Sequence, residues 1–120
     1  GLIVSNHGAR QLDRAVSALD VLPRLDAAVG ERMTLMLDGG FRRGSDVLIA
    51  LASGAKFVFM GRPTLYGAIA GGDAGAAKAV KIVREEMNKV MAQIGCPSLG
   101  QLGPDALYWD SDDDRRNTRG

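Results

Sequence analysis

Three short apolar runs, each closing on a polar or glycine-rich motif, constrain this chain more than any other feature. Leu2-Ile3-Val4 runs into Ser5-Asn6-His7, Thr34-Leu35-Met36-Leu37 into Asp38-Gly39-Gly40, and Phe57-Val58-Phe59-Met60 into Gly61-Arg62-Pro63. Continuous apolar runs this short read as strands covered on both faces. Between them the spacing turns helical. Ser17-Ala18-Leu19-Asp20 has the form of a capping box, and Leu22, Leu25 and Val29 then share one face up to a stop at Gly30. Pro23 fits that helix only in its first turns. Val47, Leu48, Leu51 and Ala52 stripe a second helix over 47–53, capped by Ser45 or Asp46 and ended by Gly54. A helical piece over 64–70 meets Gly71-Gly72. Asp73 then caps a long helix to about Ile94, with Ala76, Val80, Val83, Met87, Val90 and Met91 at helical spacing and Gly95 and Pro97 as its stop. Residues 98–107 read as one more short docked piece.

Strand then helix, three times over, is an α/β pattern with parallel strands. An all-parallel sheet buried on both faces needs neighbours, and a barrel of this kind takes eight strands and roughly 250 residues. With 120 residues, the chain reads as the C-terminal three strand-helix units of a TIM (β/α)8 barrel, incomplete in this chain. The alternative is a piece of an open doubly wound sheet. Gly1 opens directly into a strand, which reads as a cut through a longer chain. Residues 1–109 form the barrel part; 110–120 are charged and lack aliphatics, as expected of a loose tail.

The totals exclude several classes. A formal net charge of +1 gives no bulk basic surface for nucleic acid. The single Cys96 allows no internal disulfide and no Cys/His ligand set, which suits a reducing compartment such as the cytoplasm and leaves no metal site. Asp112-Asp113-Asp114 is a solvated run without fixed ligand geometry. No apolar run is long enough to span a membrane.

The chemistry gathers at the strand ends. In barrels and open α/β sheets alike, active sites form at the carboxyl ends of strands. His7, the only histidine, offers a base that titrates near neutrality; Arg10 offers a bidentate fork for a carboxylate. Gly39 and Gly40 with Arg42, and Gly61 with Arg62, match the recurrent phosphate site of barrels, where glycine lets the backbone approach the anion and helix N–H groups face it. Each has a plainer reading. A histidine at a strand end is often only a hydrogen-bonded structural residue, a Gly-Gly pair a turn, and Asp38 a cap. Arg43 is expected at the exterior. The five methionines and Cys96 read as core filling.

Ser-Asn-His-Gly-Ala-Arg-Gln at 5–11, Asp-Gly-Gly-Phe-Arg-Arg-Gly-Ser-Asp-Val at 38–47 and Gly-Arg-Pro at 61–63 together resemble the C-terminal part of the FMN-dependent 2-hydroxy-acid oxidases and dehydrogenases, the family of glycolate oxidase, lactate and mandelate dehydrogenases and flavocytochrome b2. The resemblance implies oxidation of an L-2-hydroxy acid to the 2-oxo acid, with two electrons passing to FMN. It makes His7 the active-site base and Arg10 the substrate-carboxylate clamp. Ser5 becomes a flavin contact, and Asp38, Gly39, Gly40, Phe41 and Arg42 the segment around the FMN phosphate and ribityl chain. Gly61 and Arg62 complete the phosphate cradle. Ala9 stands where many members have glycine. The family's remaining site residues, among them a tyrosine, an acid paired with the histidine and a lysine near the flavin, would lie before residue 1. So would the regions that set the substrate side chain, the electron acceptor (oxygen, quinone or cytochrome) and any membrane association. Homo-oligomerisation of the full-length protein is a family-level expectation, and the piece alone is expected to be inactive. Two other readings stand beside this one: another phosphate-binding barrel, of the IMP dehydrogenase or type 2 isopentenyl diphosphate isomerase kind, which leaves 5–11 unexplained, and a truncated module that binds a flavin or phosphate without catalysis.

Overall fold

The structure, a computed structural model, describes residues 1–108. The expected tail at 110–120 lies outside the described residues. Three strands, β1 (Leu2–Ser5), β2 (Leu35–Asp38) and β3 (Phe57–Phe59), form one parallel sheet in the order β1-β2-β3. Helices α1 (Ala18–Val29) and α2 (Gly44–Ala52) make the two crossovers, and α3 (Arg62–Gln93) follows β3. The register sets Ile3, Met36 and Phe57 in one row, and Ser5, Asp38 and Phe59 in the row nearer the carboxyl ends.

Side chains alternate across the sheet, so its two faces differ in what covers them. Val4, Leu35 and Leu37 point toward the helices and join Ala18, Leu22, Val47, Ala50 and Val83 in the core. Leu22, Leu35 and Leu37 are fully buried. The opposite face is apolar as well, yet Ile3 is 52% exposed and Phe57 54% exposed. Both faces are thus apolar, as the unalternating runs require, and only one is covered among the described residues.

The helix boundaries follow from local polar satisfaction. Ser17 Oγ accepts the Leu19 N–H at 3.2 Å and opens α1. Pro23 lies beyond the first turn, and the helix continues through it because Ala18 and Leu22 are buried against the sheet. α2 begins at Gly44, three residues before its apolar stripe. Asp46 Oδ2 reaches back to the Arg42 and Arg43 N–H groups at 3.0 and 2.9 Å, and Glu86 Oε2 accepts the Gly44 N–H at 2.8 Å. Thr34 and Met60 fall just outside the strands. Thr34 nevertheless serves the sheet edge, its carbonyl accepting the Leu2 N–H at 2.9 Å. Met33 is 38% exposed and does not fill the core.

α3 is two arms. Gly71 and Gly72 leave helical geometry, Gly72 with φ of 59°. Gly67 and Gly75 would lie about 12 Å apart in a straight helix. Here their backbones touch, and a Cβ on either would strike the other's carbonyl. The first arm therefore folds back on the second, which crosses α2 and delivers Glu86 to its start. There Arg43 Nη1 and Glu86 Oε1 pair at 2.8 Å. The Gly44 N–H first, and the Arg43 guanidinium second, hold the Glu86 carboxyl below its ordinary range.

Candidate active site

The carboxyl ends of the three strands frame a hollow of about 310 Å³. His7, Gly8 and Arg10 line it from β1, Asp38 to Arg42 from β2, and Met60 to Pro63 from β3. Every site residue expected from the sequence borders this space except Ser5, which stands behind it as an anchor. Ser5 Oγ donates to Asp38 Oδ2, its partner across the strands, at 2.7 Å, and accepts the His7 N–H at 3.1 Å. The Ser5–Asp38 bond has the short O–H···O⁻ length of a charge-assisted bond.

From that anchor the chain enters an unusual turn. His7, Gly8 and Ala9 have φ of 53, 65 and 57°. Left-handed backbone costs a side-chain-bearing residue roughly 1–2 kcal/mol, so His7 and Ala9 are held there by their surroundings. Asn6 is the main holder. Its Oδ1 accepts the Gly8 N–H at 3.0 Å, its carbonyl accepts the Ala9 N–H at 3.0 Å, and its Nδ2 donates to the Val16 carbonyl at 3.3 Å. A Cβ at Gly39 would meet Asn6 Oδ1 at 2.7 Å. Gly39, at φ of 110°, is thus glycine for its backbone and for the room it leaves this amide.

The two helix starts near the hollow are not equivalent. At α2 the N–H groups of Arg42, Arg43 and Gly44 are taken by Asp46 and Glu86, so a carboxylate of the chain itself already sits on each of these donors. At α3 the first N–H groups have no partner within the helix, and Pro63, which has none to offer, occupies the first turn at no cost. Gly61 borders the hollow, and a Cβ there would meet nothing within 4 Å. Thr64 Oγ1 donates to the Gly61 carbonyl at 2.7 Å.

Charge in the hollow is lopsided. Arg10, Arg42 and Arg62 border it, and among the described residues no carboxylate lies within ion-pair distance of any of them. Asp38 is the only acid on the lining, and its hydrogen bond goes to Ser5. Arg43, next in sequence to Arg42, points away to Glu86, as its exterior reading anticipated. Phe41 is 6% exposed and belongs to the core, bordering the hollow from beneath. No group of three or more potential metal ligands occurs among the described residues.

Two participants carry no role in the sequence reading. Asn6 ahead of His-Gly is one; an Asn before residues that must turn left-handed is a legible Asx-turn signal. Gly8 is the other. Arg62 Nη2 donates to its carbonyl at 3.2 Å, and a Cβ at Gly8 would meet that nitrogen at 2.8 Å. This approach joins residues 54 apart in sequence, and no local pattern announces it.

The FMN-dependent dehydrogenase family matches residues 1–109. L-lactate oxidase of Nostoc sp. is 46% identical over 107 residues, covering 89% of this chain and 29% of that protein. A soluble mutant of the membrane-associated (S)-mandelate dehydrogenase of Pseudomonas putida superposes with a TM-score of 0.85 at 44% identity, over 90% of this chain and 30% of that one. The recombinant flavin-binding domain of baker's yeast flavocytochrome b2 gives a TM-score of 0.82 at 34% identity, over 100% of this chain and 34% of that one. The chain spans about three tenths of the length of such relatives, and its sheet and helices are three units of their TIM-barrel fold. Fold and sequence agree over nearly the whole chain: it belongs to the FMN-dependent dehydrogenase family.

Proposed function

We propose that the hollow holds the phosphate end of FMN beside the carboxylate of an L-2-hydroxy acid, and that the protein carrying this chain oxidises that acid to the 2-oxo acid. One observation carries the reading: three arginines without a carboxylate partner among the described residues share a hollow with the only histidine. The residues fit the cofactor. Arg42 and Arg62 both border the hollow, Arg62 begins α3, whose leading N–H groups are available to a phosphate, and a Cβ at Gly61 or Gly40 would meet nothing within 4 Å. Arg10, on the His7 side, is left for the substrate carboxylate, which a guanidinium grips with two parallel N–H···O bonds. His7 takes the substrate proton, the general-base role that histidine fills most often. Asp38 and Ser5 fix where the His7 turn begins. FMN, when bound, supplies the sink for the two electrons.

The matched relatives include proteins named for lactate, mandelate and glycolate, so the side chain of the acid is left to the rest of the barrel. So is the acceptor, which is oxygen, a quinone or a cytochrome. Residues 1–109 act as the closing part of a barrel domain, homo-oligomeric when whole, in the cytoplasm or attached to a membrane from it. No helix among the described residues is long and apolar enough to cross a membrane. The 120-residue chain alone is inactive on this reading, because it brings only three of the eight strands whose carboxyl ends build a barrel active site.

In the full-length protein, His7→Gln is expected to lower kcat by 10²-fold or more, within the usual range for general acid–base catalysis, of roughly 10²–10⁴. FMN content should stay unchanged. Arg10→Met is expected to raise KM and lower kcat together. Loss of flavin with full turnover per remaining flavin in His7→Gln would overturn the assignment of the base. Unaltered kinetics in Arg10→Met would overturn the clamp.

A further inference from the structure

We infer that Arg62 is a strut linking anion binding at the α3 start to the order of the His7 turn, so that filling the phosphate site sets the catalytic end. This rests on the phosphate reading above and adds a coupling to it. Arg62 begins α3 and borders the hollow, and its Nη2 also donates to the Gly8 carbonyl at 3.2 Å. Gly8 is the middle residue of the left-handed stretch, between His7 and Ala9. One guanidinium therefore faces two clients: an anion in the hollow and the Gly8 carbonyl at its border.

A free arginine loses side-chain freedom to make either contact. A phosphate gripped by one edge of the planar fork fixes its orientation, and the second contact then forms with that freedom already lost. By linkage the effect is reciprocal: whatever holds the turn also tightens the anion. The turn is a fit receiver for such a signal. It is strained at two side-chain-bearing residues, and the contacts that hold it at Ser5 and Asn6 are hydrogen bonds at exposed or half-buried sites. A lysine at 62 keeps the charge but has no planar fork to serve both clients.

The turn reports on itself. The N–H groups of His7, Gly8, Ala9 and Arg10 are accepted by Ser5 Oγ, Asn6 Oδ1, the Asn6 carbonyl and the His7 carbonyl. Four consecutive bonded amides make hydrogen exchange over 7–10 a measure of turn opening. The experiment uses the full-length apoprotein with three probes: inorganic phosphate, FMN and riboflavin, which lacks the phosphate. Phosphate and FMN are expected to slow exchange at 7–10 about ten-fold, within the usual 5–150-fold span of site coupling. Riboflavin is expected to leave the Gly8 and Ala9 amides nearly as in the apoprotein. In Arg62→Lys, saturating phosphate should bind more weakly and give no slowing. Phosphate binding followed by calorimetry, with no change at 7–10, overturns the strut and leaves the phosphate site standing. Absence of phosphate binding overturns both. Equal slowing by riboflavin and FMN, or full slowing in Arg62→Lys, also overturns the strut. The wild-type comparison decides the matter even if the variant does not fold.

Discussion

At the scale of single residues, two of the three non-glycine residues with left-handed backbone among the described residues, His7 and Ala9, flank Gly8 in one turn. Ala9 has φ of 57° and no ligand role in the proposed chemistry, so its strain serves only the geometry of the turn. Glycine removes a penalty of roughly 1–2 kcal/mol there and adds back about 0.5–1 through its looser unfolded chain. Ala9→Gly is therefore expected to stabilise the full-length protein by about 0.5–1 kcal/mol in urea denaturation, with the fold unchanged. A loss of stability would mean that the alanine methyl makes a contact worth more than its backbone strain. The strand-end residues were legible because their types match the chemistry at a known place in the fold: a lone histidine, arginines and glycines at three carboxyl ends. The devices that hold them were less legible. Asn6 earned no role in the sequence reading because its partners, Val16 and the space over Gly39, are defined only by the folded loop. Arg62 looked like a phosphate ligand alone, since nothing local shows that it also reaches Gly8.

At the scale of elements, the join between α2 and α3 is the feature that most alters the sequence reading. The sequence offered two helix starts for an anion. The structure makes them unequal, because Glu86 crosses from α3 to take the Gly44 N–H and Asp46 takes the two before it. That join should respond to pH. The Glu86 carboxyl is lowered, first by the Gly44 N–H and then by Arg43. A depressed carboxyl contributes stability that is present above its ordinary value of 4.5 and is lost as pH falls through the lower folded value. Glu86→Gln should therefore be less stable than wild type from pH 5 to 7, with the difference shrinking below about pH 4. Denaturation midpoints of both proteins across pH 3 to 7 test this, and a constant difference down to pH 3 would remove the ionised carboxylate as the cause. Gly71-Gly72 was legible as a break, since paired glycines punctuate a helix. The fold-back it produces was not, because the touching backbones of Gly67 and Gly75 depend on the angle between the arms.

At the scale of the whole molecule, the uncovered face of the sheet links this chain to the barrel of its relatives. Ile3, Met36 and Phe57 form one apolar row across it, and Phe59 extends the patch, stacked edge-on to Phe57 with centroids 5.0 Å apart. In a closed barrel, inward-pointing side chains from alternate strands fill the interior in layers, so a row such as this is core once the other strands are present. The same four side chains are then a liability in the isolated chain and a requirement in the complete one. Phe57→Lys separates the two. In the isolated 120-residue chain it places a charge on an exposed patch, and self-association and binding of a hydrophobic dye should both fall. In the full-length protein it buries an unpaired ammonium and deletes a core ring, each among the few mechanisms that give large losses, and folded yield should collapse with a cost above about 3 kcal/mol. If residue 57 instead faced water in the finished protein, the substitution would fall within about 0.5 kcal/mol of neutral in both settings. Opposite signs in the two settings are what a barrel interior demands, since only there does the partner surface come from the strands that the isolated chain lacks.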